Sequence, residues 1–388
     1  MIEKNIKIFK WYYFFWRFKP LAVMMIIYFS QITASYTQAM AIFAINNLAY
    51  AFFKIPGGFF SDQIGRKPII LLGSILIAIS FLLLVVSGQF NIKWILFVFA
   101  VLWGVGEALI AGTTDALMFE TMSELKESGN FRILYSKSML SDQLGCAFGA
   151  ITAMLLTYYT TIQYVAWLSV IPALAQVVIS FYFIEPQTRQ QKSKLSKMNF
   201  LAALLQFIYN KKLLFYTITD IFFSTLGDIS HRFESAYFKT FTQEWIISLA
   251  RVLKHFFGIL GFYFIPHIKI FNKAKIYFGS ICSNIVIRTI ALLFNNGVTP
   301  FIHMFINFFY ATASTAKSDI LQHEFLPKYR ATAQSIIFFT KGVFMSLLML
   351  LLGWLADAQG LLFAMSTLVI LRVLGLLYAY IWRRLQQQ

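Results

Sequence analysis

Two carboxylates stand inside long apolar stretches of the sequence, Glu107 and Asp142. A charge surrounded by apolar residues is costly unless it meets a partner or water, so such positions indicate function. A carboxylate in a low-dielectric cavity can carry a proton at ambient pH. Glu107 and Asp142 are therefore the candidates for proton coupling, and we predict that one or the other binds the proton.

Basic residues occupy similar apolar stretches in the second half of the chain. Arg251 and Lys254 are three residues apart and so share one side of a helix, and Lys341 lies in a later stretch. Together they predict an anion-binding cluster that faces the acidic residues. An alternative is a static network in which Asp220 and Asp228 neutralise these cations. Further candidates for substrate binding are Asp228, His303 and Asn307.

The composition shows which elements must position these side chains. Of 388 residues, 59% are hydrophobic and only 13% charged, whereas soluble proteins have about 25% charged residues. This excludes a soluble protein, and the net charge of +17 then indicates basic loops at a membrane rather than nucleic-acid binding. Because a membrane helix needs about 20 apolar residues, the sequence predicts an all-α fold with twelve spans. The predicted spans are 18–36, 40–60, 68–87, 94–118, 133–158, 164–184, 213–237, 245–265, 274–294, 300–321, 332–354 and 361–382.

One long polar interval, residues 185–212, separates six predicted spans from the other six. The pattern Asp-x-Leu-x-x-Glu occurs at 115–120 and again at 319–324, 204 residues later. Repeated patterns at equivalent spans indicate two related halves. The predicted organisation is a bundle over 1–184, a cytoplasmic loop over 185–212 and a second bundle over 213–388.

The distribution of lysine and arginine predicts the orientation in the membrane. Alternate loops hold 23 basic residues on one side and 2 on the other, with Arg17 and Lys19 counted as loop charges. Cytoplasmic loops are the basic ones. Both termini are therefore expected in the cytoplasm, in a multi-pass protein of a bacterial inner membrane.

The loop between the second and third spans reads Gly-Gly-Phe-Phe-Ser-Asp-Gln-Ile-Gly-Arg-Lys-Pro from position 57. It resembles the signature of the major facilitator superfamily, Gly-x-x-x-Asp-(Arg/Lys)-x-Gly-(Arg/Lys)-(Arg/Lys). Gln63 stands where the family usually has a basic residue. The matching residues are Gly58, Asp62, Gly65, Arg66 and Lys67.

This resemblance implies a fold and a conformational latch. The fold is two pseudo-symmetric six-helix bundles in which spans 1, 4, 7 and 10 line a central cavity. In the latch, Asp62 faces the eleventh span near Thr332, and Arg66 pairs with Glu120 or Asp115. Ile268 stands where Asp62 would map in the second half, so the resemblance implies a one-sided latch.

The expected function is secondary active transport by alternating access. The interpretation is proton-coupled transport of a small solute, with an organic anion as the favoured class. Proton-driven efflux of amphipathic or drug-like compounds is one alternative, and a transport-inactive scaffold or sensor is another. No paired catalytic motif or phosphate-binding loop occurs, so we expect no enzyme activity, cofactor, metal or nucleic acid, and a monomer in the lipid bilayer.

Overall fold

The computed structural model of the protein describes residues 2–126, 131–186, 200–264, 272–326 and 330–385. Within these ranges the regular structure is helical and contains no β-strand, which confirms the all-α prediction. A short 3-10 helix, Pro20–Val23, follows the first α-helix. The α-helices are α1 Lys4–Arg17, α2 Met25–Thr33, α3 Tyr36–Ile64, α4 Arg66–Phe90, α5 Lys93–Ile110, α6 Thr113–Glu124, α7 Phe131–Tyr159, α8 Ile162–Phe181, α9 Phe200–Tyr209, α10 Lys211–Lys239, α11 Glu244–Phe264, α12 Lys273–Phe294, α13 Thr299–His303, α14 Ile306–Glu324, α15 Arg330–Gln359 and α16 Leu361–Leu385.

The chain divides into two compact units, Met1–Ser196 and Lys197–Gln388, called unit 1 and unit 2 below. Unit 1 contains α1 to α8, and unit 2 contains α9 to α16. In the described residues, nine helical segments are long and apolar enough to cross a membrane. Predicted spans one, seven and ten are not among them. The first is divided into short helices, and polar and charged residues lower the mean hydropathy of α10 and α14.

The bounds predicted for the first span, 18–36, are wrong. Helix α1 begins at Lys4 and buries Phe9 and Tyr12, although three lysines in its sequence lower its mean hydropathy. The helix ends at Arg17 because Pro20 has no N–H to donate and disfavours a helical conformation in Lys19 before it. The 3-10 helix and α2 then complete the segment as far as Thr33.

Two other predicted spans contain breaks, and the predicted loop contains a helix. The span predicted at 94–118 divides at Gly112, whose φ of +85° is readily adopted only by glycine. The span predicted at 300–321 divides between His303 and Ile306. Helix α9, Phe200–Tyr209, lies inside the predicted loop 185–212.

Each unit has a buried interior and an apolar outer surface. In unit 1, Tyr12 lies within hydrogen-bond distance of Ser74, 2.8 Å between oxygens, and accepts a hydrogen bond from Gln176 at 3.1 Å. Large apolar side chains such as Trp94, Tyr159 and Leu351 are at least half exposed. This surface suits hydrocarbon as its solvent, and inside hydrocarbon a helix satisfies its own backbone polar groups.

Candidate functional site

The break after α1 brings two cations to the two carboxylates predicted for proton binding. Arg17 Nε lies 2.7 Å from Asp142 Oδ1 on α7, and Lys19 Nζ lies 3.6 Å from Glu107 Oε1 on α5. Asp142 and Lys19 are buried. The interpretation of Lys19 as a loop charge is therefore wrong, because it forms a buried ion pair, whereas the Arg17 side chain is paired but 51% exposed.

Aromatic rings enclose the ammonium of Lys19. Its Nζ lies 5.2 Å from the ring centroid of Phe81 and 5.7 Å from that of Trp103. Lys19 is only 7% exposed, so these cation–π contacts act in a poorly hydrated site, where they are strongest. Helix α7 packs closely on the end of α1 because of Gly145, where an added Cβ would overlap the backbone carbonyl of Phe14.

In unit 2 the central charge is Glu234 on α10, which is 1% exposed. Its carboxylate lies 2.5 Å from Lys254 Nζ and 3.8 Å from Arg251 Nη1, both on α11. Arg288 of α12 approaches the other carboxylate oxygen at 3.4 Å. Three cations from two helices thus share one carboxylate. We call these four residues the Glu234 cluster.

Two histidines border the Glu234 cluster. His231 is 49% exposed, and its Nδ1 lies 2.6 Å from Arg251 Nη1, so the cluster has an accessible side at this ring. His303 is buried, 3.4 Å from Glu234, with its ring edge-on to Phe238. Asn307 lies beyond the break, where it packs on Gly258 of α11, so these two residues of the predicted tenth span belong to different helices.

The third predicted substrate-binding cation, Lys341, lies apart from the Glu234 cluster. Its Nζ is 2.7 Å from Asp228 Oδ2, which joins α15 to α10. Asp220 forms a separate ion pair with Lys317, whose Nζ lies 2.9 Å from Asp220 Oδ1. The structure therefore divides the predicted basic cluster between two carboxylates.

The α3–α4 loop forms a fork of ion pairs around Arg66. Its Nε and Nη2 donate to Glu120 Oε1 at 3.1 and 2.9 Å, and its Nη1 lies 2.5 Å from Asp62. Asp115, the other predicted partner, accepts a hydrogen bond from Tyr13 at 2.9 Å. Of the two predicted carboxylates, Arg66 thus contacts Glu120. Ile268 and the side chain of Thr332 lie outside the described residues.

Glu185, just after α8, holds the start of α4. Its two carboxylate oxygens accept the backbone N–H groups of Arg66 and Lys67, each at 2.7 Å. Gly65, with φ +127°, turns the chain so that these N–H groups point at the carboxylate, and an added Cβ would lie 3.2 Å from it. By contrast, an added Cβ on Gly58 would meet no atom within 4 Å in the described part of the chain.

Unit 2 has a related ion pair at Glu324, 204 residues after Glu120. Glu324 pairs with Lys212 at 2.5 Å and accepts a hydrogen bond from Asn210 at 3.2 Å. The hydrogen bond to Glu324 raises the pKa of Lys212 above its usual value. Burial alone would raise the pKa of Glu324, but the hydrogen bonds from Lys212 and Asn210 outweigh burial and lower it.

Four of these residues were not identified as site residues from the sequence: Arg17, Lys19, Glu185 and Glu234. Pro20 was an available signal for the helix break that carries the first two. No local pattern marks Glu234 as the centre of a cluster, since its partners come from other helices. In the described ranges, no group of three or more His, Cys, Asp and Glu side chains is arranged to hold a metal ion.

Comparison with known proteins places this geometry in a family. The family model of the Major Facilitator Superfamily matches residues 12–346. No curated protein sequence matches the chain.

Solved structures share the fold at low sequence identity. A mutant of the nucleoside transporter NupG is similar with a TM-score of 0.82 and 13% identity, over 98% of this chain and 99% of that one. The D-xylose-proton symporter is similar with a TM-score of 0.75 and 13% identity, over 98% of this chain and 97% of that one. A POT family transporter in complex with 5-aminolevulinic acid is similar with a TM-score of 0.75 and 15% identity, over 98% of this chain and 96% of that one.

Proposed function

The chain belongs to the Major Facilitator Superfamily, and we propose that it carries a small organic anion together with protons by alternating access. Secondary transport follows from the family and from its similarity to solved transporters. Those relatives handle different solutes, so the fold does not choose the substrate. The choice of an anion rests on the charges of unit 2.

The observation that carries the proposal is that the Glu234 cluster contains three cations and one carboxylate. Lys254 and Arg288 both depend on one carboxylate that is 1% exposed, and Arg251 shares it at a longer distance. Buried cations are stabilised when each has a carboxylate, phosphate or similar partner. A substrate carboxylate that approached past His231 would meet Arg251 first and would add a negative charge to a cluster in which three cations lie around Glu234.

Proton coupling rests on the two ion pairs of unit 1. Protonation of Glu107 would remove its charge and leave Lys19 held by the rings of Phe81 and Trp103. Protonation of Asp142 would release Arg17 in the same way. We propose that these carboxylates bind the coupled protons, because each protonation changes the charge beside a cation at a helix break. The D-xylose-proton symporter shows that the fold accommodates such coupling.

The Arg66 fork is proposed as the latch of the transport cycle. The resemblance assigns this role to Gly58, Asp62, Gly65, Arg66 and Lys67, with Glu120 as the acidic partner. The ion pair to Glu120 joins the start of α4 to the end of α6. We propose that the pair stabilises one end state of the cycle and opens in the other.

The protein is proposed to act as a monomer in a bacterial inner membrane, with both termini in the cytoplasm. The bias of basic residues toward alternate loops supports this orientation. The six-plus-six division, with boundaries at 184 and 213, is proposed for the same molecule.

Transport in proteoliposomes tests the proposal. Purified protein is reconstituted with an imposed pH gradient, and a panel of radiolabelled mono- and dicarboxylates is compared with amphipathic cationic dyes. We expect saturable uptake of a carboxylate that the gradient drives. Dye movement without carboxylate movement would favour efflux of amphipathic compounds, and no movement of any compound would favour a scaffold.

Two variants separate substrate binding from coupling. Arg251→Gln should abolish uptake. Glu107→Gln should keep exchange of labelled for unlabelled substrate but lose accumulation against a gradient, because exchange needs no net proton movement. Lys239→Gln is the matched control, since Lys239 pairs with Glu244 at an exposed helix end. Normal gradient-driven uptake by Glu107→Gln and Asp142→Asn would contradict proton binding at these residues.

A further inference from the structure

A third buried arginine of unit 2, Arg372 of α16, lies beside the Glu234 cluster and has no carboxylate partner among the described residues. It is 4% exposed, and its Nη2 donates a hydrogen bond to Ser230 Oγ at 3.2 Å. No carboxylate oxygen lies within ion-pair distance of it in the described residues. Arg288 does pair with Glu234, whereas Arg372 neither pairs with a carboxylate nor reaches the surface.

Both arginines present unused donors in the interior. The Nε groups of Arg288 and Arg372 are buried without a hydrogen-bond partner in the described part of the chain. Arg372 contacts Ser230 and Arg288 contacts Glu234, four residues later, so the two guanidinium groups lie at adjacent turns along one face of α10. Since an unpaired buried charge is strongly destabilising, two neighbouring guanidinium groups with free donors indicate a negative charge between them.

The surroundings restrict what that negative charge can be. Ser230 and Glu234 on α10, together with both arginines, are each less than 5% exposed. Arg372 lies over Gly227, where an added Cβ would approach its Nη2 to 3.9 Å, so the guanidinium packs closely on α10. An enclosed position of this kind fits a small spherical anion rather than a transported organic molecule.

We propose that Arg288 and Arg372 bind a small monovalent inorganic anion of the halide class inside unit 2, while Ser230, whose hydroxyl donates to the Leu226 carbonyl, holds Arg372 in place. The anion accepts the free Nε donors and balances the excess positive charge beside Glu234. It is a resident of unit 2, separate from the transported substrate. The proposal therefore stands whether or not the transported substrate is an organic anion.

Thermal unfolding of the full-length purified protein tests this site without any transport. The probe is sodium chloride, titrated against sodium gluconate at constant ionic strength. A ligand that binds only the folded state raises its stability, so the unfolding temperature should rise saturably by about 2–5 °C. Equal unfolding temperatures in chloride and gluconate would overturn the proposal.

Arg372→Leu removes the arginine to which the described residues offer no carboxylate. We expect this variant to lose the chloride response and to be at least as stable as the unaltered protein in gluconate, where the charge has no counterion. Lys239→Gln, which removes a cation from an exposed ion pair, should keep the full response. A chloride response that persists in Arg372→Leu would overturn the proposal.

Direct detection covers the case in which Arg372→Leu fails to fold. Crystals of the unaltered protein grown in sodium bromide should show an anomalous peak between Arg288 and Arg372. A peak elsewhere only, or none, would contradict the site.

Discussion

Replacing Glu234 by glutamine tests the central electrostatic argument. The glutamine side chain would keep the shape of the glutamate but remove the negative charge that lies within 3.8 Å of Arg251, Lys254 and Arg288. Removing one partner of a buried ion pair costs about 3–5 kcal/mol. We expect Glu234→Gln to lose about this much free energy of unfolding. Arg251 can turn toward the accessible side at His231, which places the expected value in the lower part of that range.

A second variant determines whether the loss comes from stranded charge. Combining Glu234→Gln with Lys254→Met removes the carboxylate together with the cation nearest to it, at 2.5 Å. The double variant should be more stable than Glu234→Gln alone, because fewer buried cations lack a partner. Residues in contact show interaction energies of about 0.5–3 kcal/mol in such cycles, so the recovery should be measurable.

The assay is denaturant unfolding of protein in detergent micelles, followed by tryptophan fluorescence. Glu244→Gln serves as the control, since it removes a carboxylate from an ion pair with the half-exposed Lys239 and should cost less than about 1 kcal/mol. A cost for Glu234→Gln no greater than that of Glu244→Gln would refute the reasoning. So would a double variant whose loss equals the sum of the two single losses.

Three further predictions concern the ends of the helices. Glu185→Ala should lower the free energy of unfolding by about 1–2 kcal/mol, and Glu185→Gln by less, because the amide oxygen still accepts one backbone N–H of α4; thermal unfolding of both variants checks this. Because the pKa of Glu324 is lowered, its ion pair with Lys212 contributes above pH 4.5 and is lost as the pH falls through the folded-state pKa. Between pH 3 and 7 the free energy of unfolding should therefore rise more in the unaltered protein than in Glu324→Gln. The difference should be less than about 1 kcal/mol, because Lys212 is largely exposed. Reversing the latch pair as Arg66→Glu with Glu120→Arg should restore part of the transport rate that either single change removes, and a double variant no faster than the single ones would contradict an ion-pair latch.

The long helices were predictable because a membrane requires long apolar segments. Helices α4, α7 and α12 begin and end within about three residues of the predicted spans, an agreement that reflects the number of residues needed to cross hydrocarbon. The helix breaks were not predicted, because hydropathy measures composition and not backbone hydrogen bonding. Pro20 and Gly112 mark two of the breaks in the sequence. The break between His303 and Ile306 has no such residue, so only the structure shows it.

The candidate site was predictable in its residue types but not in its pairs. Spacing along one helix correctly placed Arg251 and Lys254 on a common side, since both reach Glu234. The partner itself lies on another helix, and contacts between helices depend on packing that a single sequence does not reveal. The same limit applies to Lys19, whose position after a helix break was mistaken for a loop.

Glu120 and Glu324 occupy equivalent positions in the two halves, and each forms an ion pair with a different kind of cation. Each carboxylate lies in the last two turns of its helix, where the negative end of the helix dipole makes a carboxylate unfavourable by about 0.3–1 kcal/mol. A cation nearby reverses this effect, so each glutamate requires one. Arg66 of the α3–α4 loop supplies it in unit 1, and Lys212 at the start of α10 supplies it in unit 2. Because the requirement comes from the helix end, the cation can come from different parts of the chain in the two halves. Of the two ion pairs, the one in unit 1 involves the signature loop.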